Sequence, residues 1–213
     1  MTEIKFCGLT RHIDVEVATQ LGAAFVGAVF ADGPRRVTAE QARMLFGDVT
    51  GARKVGVFAD QSVDEIARTA ELASLDVVQL HADPTPAAVD AVKTATGLET
   101  WAAMRISNAP SEEDLDGLIS SADAILFDTR SGKALGGTGS AFDWALLTNL
   151  LDQHRRGRAR VVLAGGLNPT LVPRAIAAVH PDIVDVSSGV EVAPGVKDHR
   201  LMRAFTEAVR SAP

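Results

Sequence analysis

The one cysteine of the chain lies in a short segment that could carry proton-transfer chemistry. Cys7 ends an expected first strand, and Gly8 permits a sharp turn out of that strand. Because side chains alternate along a strand, Lys5 and Cys7 share one face. A thiol at such a strand end is a candidate acid or base, but an unpaired cysteine is also a common buried apolar residue. The segment by itself favours the structural interpretation.

Asp128 is the second candidate for proton transfer. It follows four consecutive apolar residues, 124–127, which predict a buried strand. Loss of water around a carboxyl group at such a position would raise its pKa toward the range of a general acid. The alternative is an aspartate that begins a loop and caps the local backbone.

Basic residues at other strand ends are candidates for substrate binding. Arg35, in the loop 31–36, has the geometry to bind a carboxylate through two hydrogen bonds, although a solvated loop arginine fits the spacing equally well. His81 and Arg105 each end a further strand and are candidate hydrogen-bonding partners or structural residues. The remaining histidines have no metal-ligand spacing, and a single cysteine excludes a thiolate-rich zinc site.

Two turns of small residues near the C-terminus are candidates for phosphate binding. One contains Gly165 and Gly166, and the other contains Ser188 and Gly189. Turns of this kind after the last two strands of a barrel bind phosphate through unshielded backbone N–H groups. Ordinary turn glycines are the alternative.

The elements that position these residues alternate regularly between strand and helix. Strands are expected at 3–7, 25–30, 53–58, 76–80, 99–105, 123–128, 160–164 and 182–187. Helices are expected near 12–21, 39–46, from Ser62, near 85–95, from Ser111, from Phe142, from Asn168 with Pro169 at its first position, and near 198–210. Eight such units predict an α/β fold, a (β/α)₈ TIM barrel, as a single domain over 1–213. A doubly wound open sheet is the alternative, but no strand is followed by G-x-G-x-x-G.

A barrel would bring all the candidate residues to one face, because the C-terminal ends of its strands lie together. The first and sixth strands stand on opposite sides of an eight-stranded barrel. Cys7 and Asp128 would then approach one substrate from two directions, as an acid and a base with separate roles require.

Composition limits the classes of partner. The chain of 213 residues has a net charge of −6, which disfavours general nucleic-acid binding. No apolar run is long enough to span a membrane, and the N-terminus lacks a signal-peptide pattern. The single cysteine excludes an internal disulfide and fits a cytoplasmic protein. The sequence does not distinguish a monomer from a homodimer.

The chain resembles the phosphoribosylanthranilate isomerase family over essentially its whole length. The matching segments are KFCGLT at 5–10, VGVF at 55–58 with DQS at 60–62, VQLH at 78–81, GGTG at 136–139 with FDW at 142–144, LAGGLNP at 163–169, DVSSGVE at 185–191 and PGVKD at 194–198.

The resemblance implies a small phosphosugar–anthranilate substrate and an Amadori rearrangement without a metal or organic cofactor. By that resemblance Asp128 is the general acid and Cys7 the general base. Arg35 binds the anthranilate carboxylate, and the turns with Gly165, Gly166, Ser188 and Gly189 bind the phosphate. Lys5 and His81 are expected as further residues of the site.

Three positions depart from the family pattern, namely Arg36, Ala82 and Ala102. Family members usually have an aromatic residue, a glycine and a nearby lysine there. Two alternatives therefore accompany the isomerase interpretation: a paralogue that acts on another aminosugar phosphate, and a phosphoribosyl-ligand binding barrel without activity.

Overall fold

Eight parallel strands close into a barrel in chain order. The computed structural model describes residues 1–47, 49–105, 112–128, 147–148, 151 and 159–213. The strands are β1 (Glu3–Phe6), β2 (Phe25–Val29), β3 (Arg53–Phe58), β4 (Val77–Leu80), β5 (Glu99–Arg105), β6 (Ala124–Asp128), β7 (Arg160–Ala164) and β8 (Ile183–Val186). Because β8 pairs with β1 as well as with β7, the sheet has no open edge. The expected TIM barrel is confirmed, and the open sheet is excluded.

Seven α-helices of the described residues surround the barrel. They are α1 (His12–Gln20), α2 (Ala39–Phe46), α3 (Val63–Leu72), α4 (Pro86–Thr96), α5 (Glu112–Ser121), α6 (Val172–Val179) and α7 (His199–Arg210). Thr38 and Ser62 begin α2 and α3 with capping boxes, as their sequences predict. The expected helix starts at Ser111 and Phe142, and the matching segments at 136–139 and 142–144, lie outside the described residues. None of the described helices is both long and apolar enough to cross a bilayer.

The predicted start of α6 at Asn168 is wrong. The Asn168 side chain accepts hydrogen bonds from the backbone of Thr170 and Leu171, which closes a turn, and the helix begins only at Val172. Pro173 explains the later start. In a helix from Pro169 it would be the fifth residue, where its missing N–H would remove a backbone hydrogen bond; in the first turn it costs none.

The interior of the barrel is filled at the end where the strands begin. Phe25 and Trp101 meet there edge to face, with ring centroids 4.9 Å apart. The guanidinium groups of Arg53 and Arg160 lie 5.6 and 5.8 Å from the centroid of Phe25. This closed end leaves the opposite end, where the strands finish, for the site.

A short hairpin that the sequence did not predict follows β8. A 3₁₀ turn, Ser188–Val190, leads into two antiparallel strands, β9 (Glu191–Ala193) and β10 (Val196–Lys197). The hairpin is separate from the barrel sheet. It brings Glu191 and Lys197 to the end of the barrel that carries the candidate residues.

Candidate active site

A cavity of about 370 Å³ opens where the barrel strands end. The residues predicted from sequence that line it are Cys7, Arg35, His81, Arg105, Asp128, Gly165, Gly166, Ser188 and Gly189. Lys5 lies below them, fully buried, at the preceding inward-facing position of β1. The fold therefore brings the predicted residues together at one end of the barrel.

The floor of the cavity contains a buried ion pair beside Cys7. Lys5 is opposite Asp185 in the pairing of β1 with β8, and its Nζ lies 2.9 Å from Asp185 Oδ2. Both side chains point into the barrel, and at most 9% of either is exposed. A buried cation requires such a partner. Lys5 and Cys7 share the interior face, as their spacing predicts.

The pKa of the Cys7 thiol reflects opposing influences. Burial raises the pKa above its ordinary value, and the negative charge of Asp185 acts in the same direction. The ammonium groups of Lys5 and Lys197 oppose this by favouring the thiolate. Burial likewise opposes the charge on Lys5, but Asp185 and then Cys7 raise the pKa of that lysine. The ionisation of Cys7 therefore depends on its burial and on three charged neighbours, Lys5, Asp185 and Lys197.

Asp128 faces His81 across the ends of β6 and β4. The distance from His81 Nε2 to Asp128 Oδ2 is 3.6 Å. The other ring nitrogen, Nδ1, lies 3.2 Å from the side-chain nitrogen Nε2 of Gln79. The two ring nitrogens therefore face different polar groups, Nδ1 the Gln79 amide and Nε2 the Asp128 carboxylate. The His81 ring thus lines the cavity beside Asp128.

Arg35 and Arg36 have different surroundings. Arg35 lines the cavity, and 22% of its side chain is exposed. Its guanidinium donates from Nη2 to Glu191 Oε2 at 2.5 Å and from Nε to Glu191 Oε1 at 2.9 Å. Arg36 pairs instead with Asp32, with both side chains largely in solvent. Arg35 is thus the arginine of this loop that can meet a ligand in the cavity.

The hairpin places a second buried cation, Lys197, beneath the opening of the cavity, which we call the rim. Lys197 Nζ donates to the backbone oxygen of Cys7 at 2.6 Å, to Glu191 Oε1 at 2.7 Å and to the backbone oxygen of Ser187 at 3.2 Å. Burial lowers the pKa of Lys197, and the Glu191 carboxylate opposes that effect. Burial disfavours the charge on Glu191 too, but the hydrogen bonds from Arg35 and Lys197 lower its pKa to about 2.

The two predicted phosphate turns lie against each other. Gly165 and Gly166 have positive φ angles of 95° and 68°, which glycine adopts without strain. A Cβ atom at Gly189 would lie 1.8 Å from the backbone oxygen of Leu167. Gly189 is therefore required for the close approach of the two turns, a role that the sequence prediction of an exposed amide does not include.

The three departures from the family pattern do not line the cavity. Arg36 points to solvent, Ala82 is exposed outside the lining, and Ala102 is fully buried on the outer face of β5. None of the three departures therefore replaces a described residue that lines the cavity.

Four polar residues of this region were assigned no role from the sequence: Gln79, Asp185, Glu191 and Lys197. Gln79 and Asp185 are the next-to-last residues of β4 and β8, at inward-facing positions within apolar runs. A polar residue at such a position is a signal that alternation alone can reveal. Glu191 and Lys197 gave no such signal, because the hairpin that buries them was not predicted.

Comparisons with known proteins agree with this geometry. A family profile described as N-(5'phosphoribosyl)anthranilate (PRA) isomerase matches residues 4–208. N-(5'-phosphoribosyl)anthranilate isomerase of Caldanaerobacter subterraneus is 42% identical over 212 residues, covering 99% of this chain and 98% of the relative.

Solved structures give the same result. Phosphoribosyl anthranilate isomerase from Thermus thermophilus has a TM-score of 0.85 and 34% identity, with both chains fully covered. A further phosphoribosyl anthranilate isomerase, solved in complex with reduced 1-(o-carboxyphenylamino)-1-deoxyribulose 5-phosphate, has a TM-score of 0.81 and 32% identity, with 99% of each chain covered. Matches of this extent in both sequence and structure establish that the chain belongs to the phosphoribosylanthranilate isomerase family.

Proposed function

We propose that this chain catalyses the Amadori rearrangement of N-(5′-phosphoribosyl)anthranilate to 1-(2-carboxyphenylamino)-1-deoxyribulose 5-phosphate, a step of tryptophan biosynthesis. The observation that carries the proposal is that Cys7 of β1 and Asp128 of β6 line the same cavity. Family membership supports it, as does the relative that binds a reduced form of this product.

Asp128 is the proposed general acid. It donates a proton to the ring oxygen of the ribose as the bond from that oxygen to C1′ breaks, and the nitrogen lone pair forms a protonated Schiff base. The carboxyl group lies at the edge of the apolar strand β6, and His81 Nε2 stands 3.6 Å from it. At this distance His81 lies next to the proposed acid on the cavity wall.

Cys7 is the proposed general base. Its thiolate removes the proton from C2′, and the electrons of that C–H bond form the C1′–C2′ double bond of an enolamine. The enolamine then gains a proton at C1′ and loses one from its hydroxyl group, which yields the ketone. The ammonium groups of Lys5 and Lys197 favour the thiolate that this step requires.

The charged ends of the substrate have separate binding sites in this proposal. Arg35 binds the anthranilate carboxylate, and the turns with Gly165, Gly166, Ser188 and Gly189 bind the phosphate through backbone N–H groups. All five residues line the cavity that contains Cys7 and Asp128. Fixing both ends of the substrate holds C1′ and C2′ near the acid and the base.

Steady-state kinetics of purified variants test the proposal. We expect Asp128→Asn and Cys7→Ala each to lower kcat by roughly 10²- to 10⁴-fold, the usual contribution of a general acid or base. Asp123→Asn is the matched control, because Asp123 precedes the same strand at its other end and bonds to Lys93 at 2.7 Å. Near-normal turnover by folded Asp128→Asn protein would overturn the assignment of the acid.

No observation favours the two alternative functions. A shifted substrate preference would require changes in the cavity wall, and Arg36, Ala82 and Ala102 all lie outside that wall. A barrel without activity would not need both Cys7 and Asp128. Turnover of another aminosugar phosphate in preference to the anthranilate substrate would reverse this conclusion.

We further propose that the protein resides in the cytoplasm. The proposed base must remain a free thiol, and Cys7 is the only cysteine of the chain. Thiols persist in a reducing compartment. Recovery of the protein outside the cytoplasm in cell fractionation would contradict this location.

A further inference from the structure

We infer that the buried ion pair of Glu191 and Lys197 positions Arg35 for substrate binding. By holding one side of the guanidinium group, the pair directs the outer edge of that group, formed by Nη1 and Nη2, toward the substrate carboxylate. The inference rests on the proposed function, because it concerns how the same substrate is held. It also gives a role to two residues of the matching C-terminal segments that the mechanism above does not use as acid, base or ligand.

Lys197 connects the parts of the rim. Its side chain is fully buried, and its ammonium group has three N–H donors. They bond to the backbone oxygens of Cys7 and Ser187 and to the Glu191 carboxylate. Lys197 therefore binds three parts of the site. They are the end of the first strand at Cys7, the start of the second phosphate turn at Ser187, and the Glu191 carboxylate that binds Arg35.

Glu191 occupies one particular edge of Arg35. Its two oxygens accept hydrogen bonds from Nε and Nη2, the side edge of the guanidinium. Only 5% of the Glu191 side chain is exposed, and Oε1 also accepts from Lys197 Nζ at 2.7 Å and from the backbone N–H of Gly195 at 3.3 Å. Because several hydrogen bonds fix the Glu191 carboxylate, that carboxylate determines the orientation of the Arg35 guanidinium group.

The remaining edge of Arg35 is available to a ligand. No residue of the described ranges accepts a hydrogen bond from Nη1. The aliphatic part of the side chain lies directly over Gly8, where a Cβ atom would come within 2.5 Å of Arg35 Cδ. Nη1 and the outer N–H of Nη2 thus form a second fork that matches a carboxylate.

Stability alone does not account for this pair. Two buried charges gain little net stability over apolar residues of similar size, because both lose their hydration. What they do provide is a fixed direction, and each partner of the pair is bonded to a group of the site. This arrangement is expected where geometry rather than burial is required.

Calorimetric titration tests the inference. The first probe is the reduced form of the product 1-(2-carboxyphenylamino)-1-deoxyribulose 5-phosphate. Its analogue with a phenylamino group in place of the carboxyphenylamino group serves as the second probe. We expect Glu191→Gln to weaken binding of the carboxylated compound about tenfold, as loss of a charge-assisted contact does, and to change binding of the analogue less than about threefold. In kinetics, KM should rise by a larger factor than kcat falls.

Two further variants separate positioning from general damage. In an Arg35→Ala background, Glu191→Gln should have almost no effect on either compound, because it acts through the arginine. Glu3→Gln is the matched control, since Glu3 pairs with Arg160 at 2.5 Å at the closed end of the barrel. If Glu191→Gln does not fold, Glu191→Asp replaces it. The aspartate keeps the negative charge beside Lys197 on a shorter side chain, and its binding of the same two compounds is measured.

The outcomes are distinguishable from a failure of the proposed function. A wild-type protein that neither turns over N-(5′-phosphoribosyl)anthranilate nor binds the reduced product would refute the function itself. An active wild type whose Glu191→Gln variant binds the carboxylated compound equally well or more tightly would refute only the positioning role, because Glu191 would then compete for Arg35. Equal weakening of both compounds would also refute it.

Discussion

Two charged residues act in opposite directions on the Cys7 thiol. Lys5 favours the thiolate, whereas Asp185 disfavours it, and the two are paired at 2.9 Å. The pKa of Cys7 nevertheless stays above its ordinary value, because burial outweighs Lys5. The ionisation of the proposed base is therefore set by a balance that single substitutions can tilt either way.

The pH dependence of turnover should reveal this balance. A base acts in its deprotonated form, so the rising limb of kcat/KM against pH follows the Cys7 pKa. Lys5→Met removes the favourable charge and should move that limb to higher pH. Asp185→Asn removes the unfavourable charge and should move it to lower pH. Because Cys7 is the only cysteine, the ultraviolet absorbance of its thiolate measures the same pKa without substrate.

The opposite signs of the two shifts are the internal control. General damage to the cavity would lower activity in both variants without moving the limb in two directions. Breaking a buried ion pair also costs stability, about 3–5 kcal/mol when one partner is left uncompensated, so thermal unfolding must be measured beside the kinetics. Shifts in the same direction would contradict the electrostatic account of Cys7.

At the scale of the strands, alternation decides which residues reach the cavity. Gly27 of β2 faces the barrel interior, where a Cβ atom would lie 3.1 Å from Cys7 Sγ and 3.4 Å from Lys5 Cε. Gly56 of β3 faces the helices instead, where a Cβ atom would lie 2.4 Å from Leu75 Cδ1. The two glycines thus form a pair on opposite faces of the sheet, and the tighter contact is at Gly56.

Alanine substitutions at this pair should separate activity from stability. Gly27→Ala displaces the Cys7 side chain, and a displacement of a few tenths of an ångström should lower kcat by roughly tenfold. Gly56→Ala should lower the melting temperature while the folded protein keeps its kcat, because only outer packing is disturbed. Kinetics with circular-dichroism melting measure both quantities. A normal kcat in Gly27→Ala would show that the thiol position tolerates crowding.

The sequence predicts the elements well because their signals are local. The bounds of α2, β3, β5 and β7 agree with the expected ranges, since capping residues and apolar runs determine them within a few positions. The sequence predicts the start of α6 too early, because Asn168 and Pro169 imitate a helix start, whereas Pro173 determines where the helix begins. The β9–β10 hairpin was missed because Glu191 and Lys197 give no periodic pattern in so short a segment.

At the scale of the whole molecule, the site depends on contacts between the two ends of the chain. Lys5 meets Asp185 across 180 positions, Arg35 meets Glu191 across 156, and Lys197 meets the Cys7 backbone across 190. Parallel strands with crossover helices close the barrel and make these contacts possible. The strand ends could be assigned to one face from the sequence, but the pairing of charges on that face requires the three-dimensional arrangement.

Acid unfolding tests how much the rim contributes to the fold. The pKa of Glu191 is about 2 in the folded protein, well below its ordinary value of 4.5. Its ionised form therefore stabilises the native state fully above the ordinary pKa, and the contribution is lost as pH falls toward the folded value. A shift of this size corresponds to roughly 3 kcal/mol.

Glu191→Gln should consequently be less sensitive to acid than wild type. The free energy of unfolding of the wild type should exceed that of the variant at about pH 6, and the difference should shrink as the pH is lowered to about 3. Urea denaturation at several pH values measures this difference. Glu65→Gln is the control, because Glu65 has a lowered pKa on the surface of α3, where solvent screens its hydrogen bonds to Ser62. A difference between wild type and Glu191→Gln that is independent of pH would contradict the lowered pKa of Glu191, because its ionisation would then favour the folded and unfolded states equally.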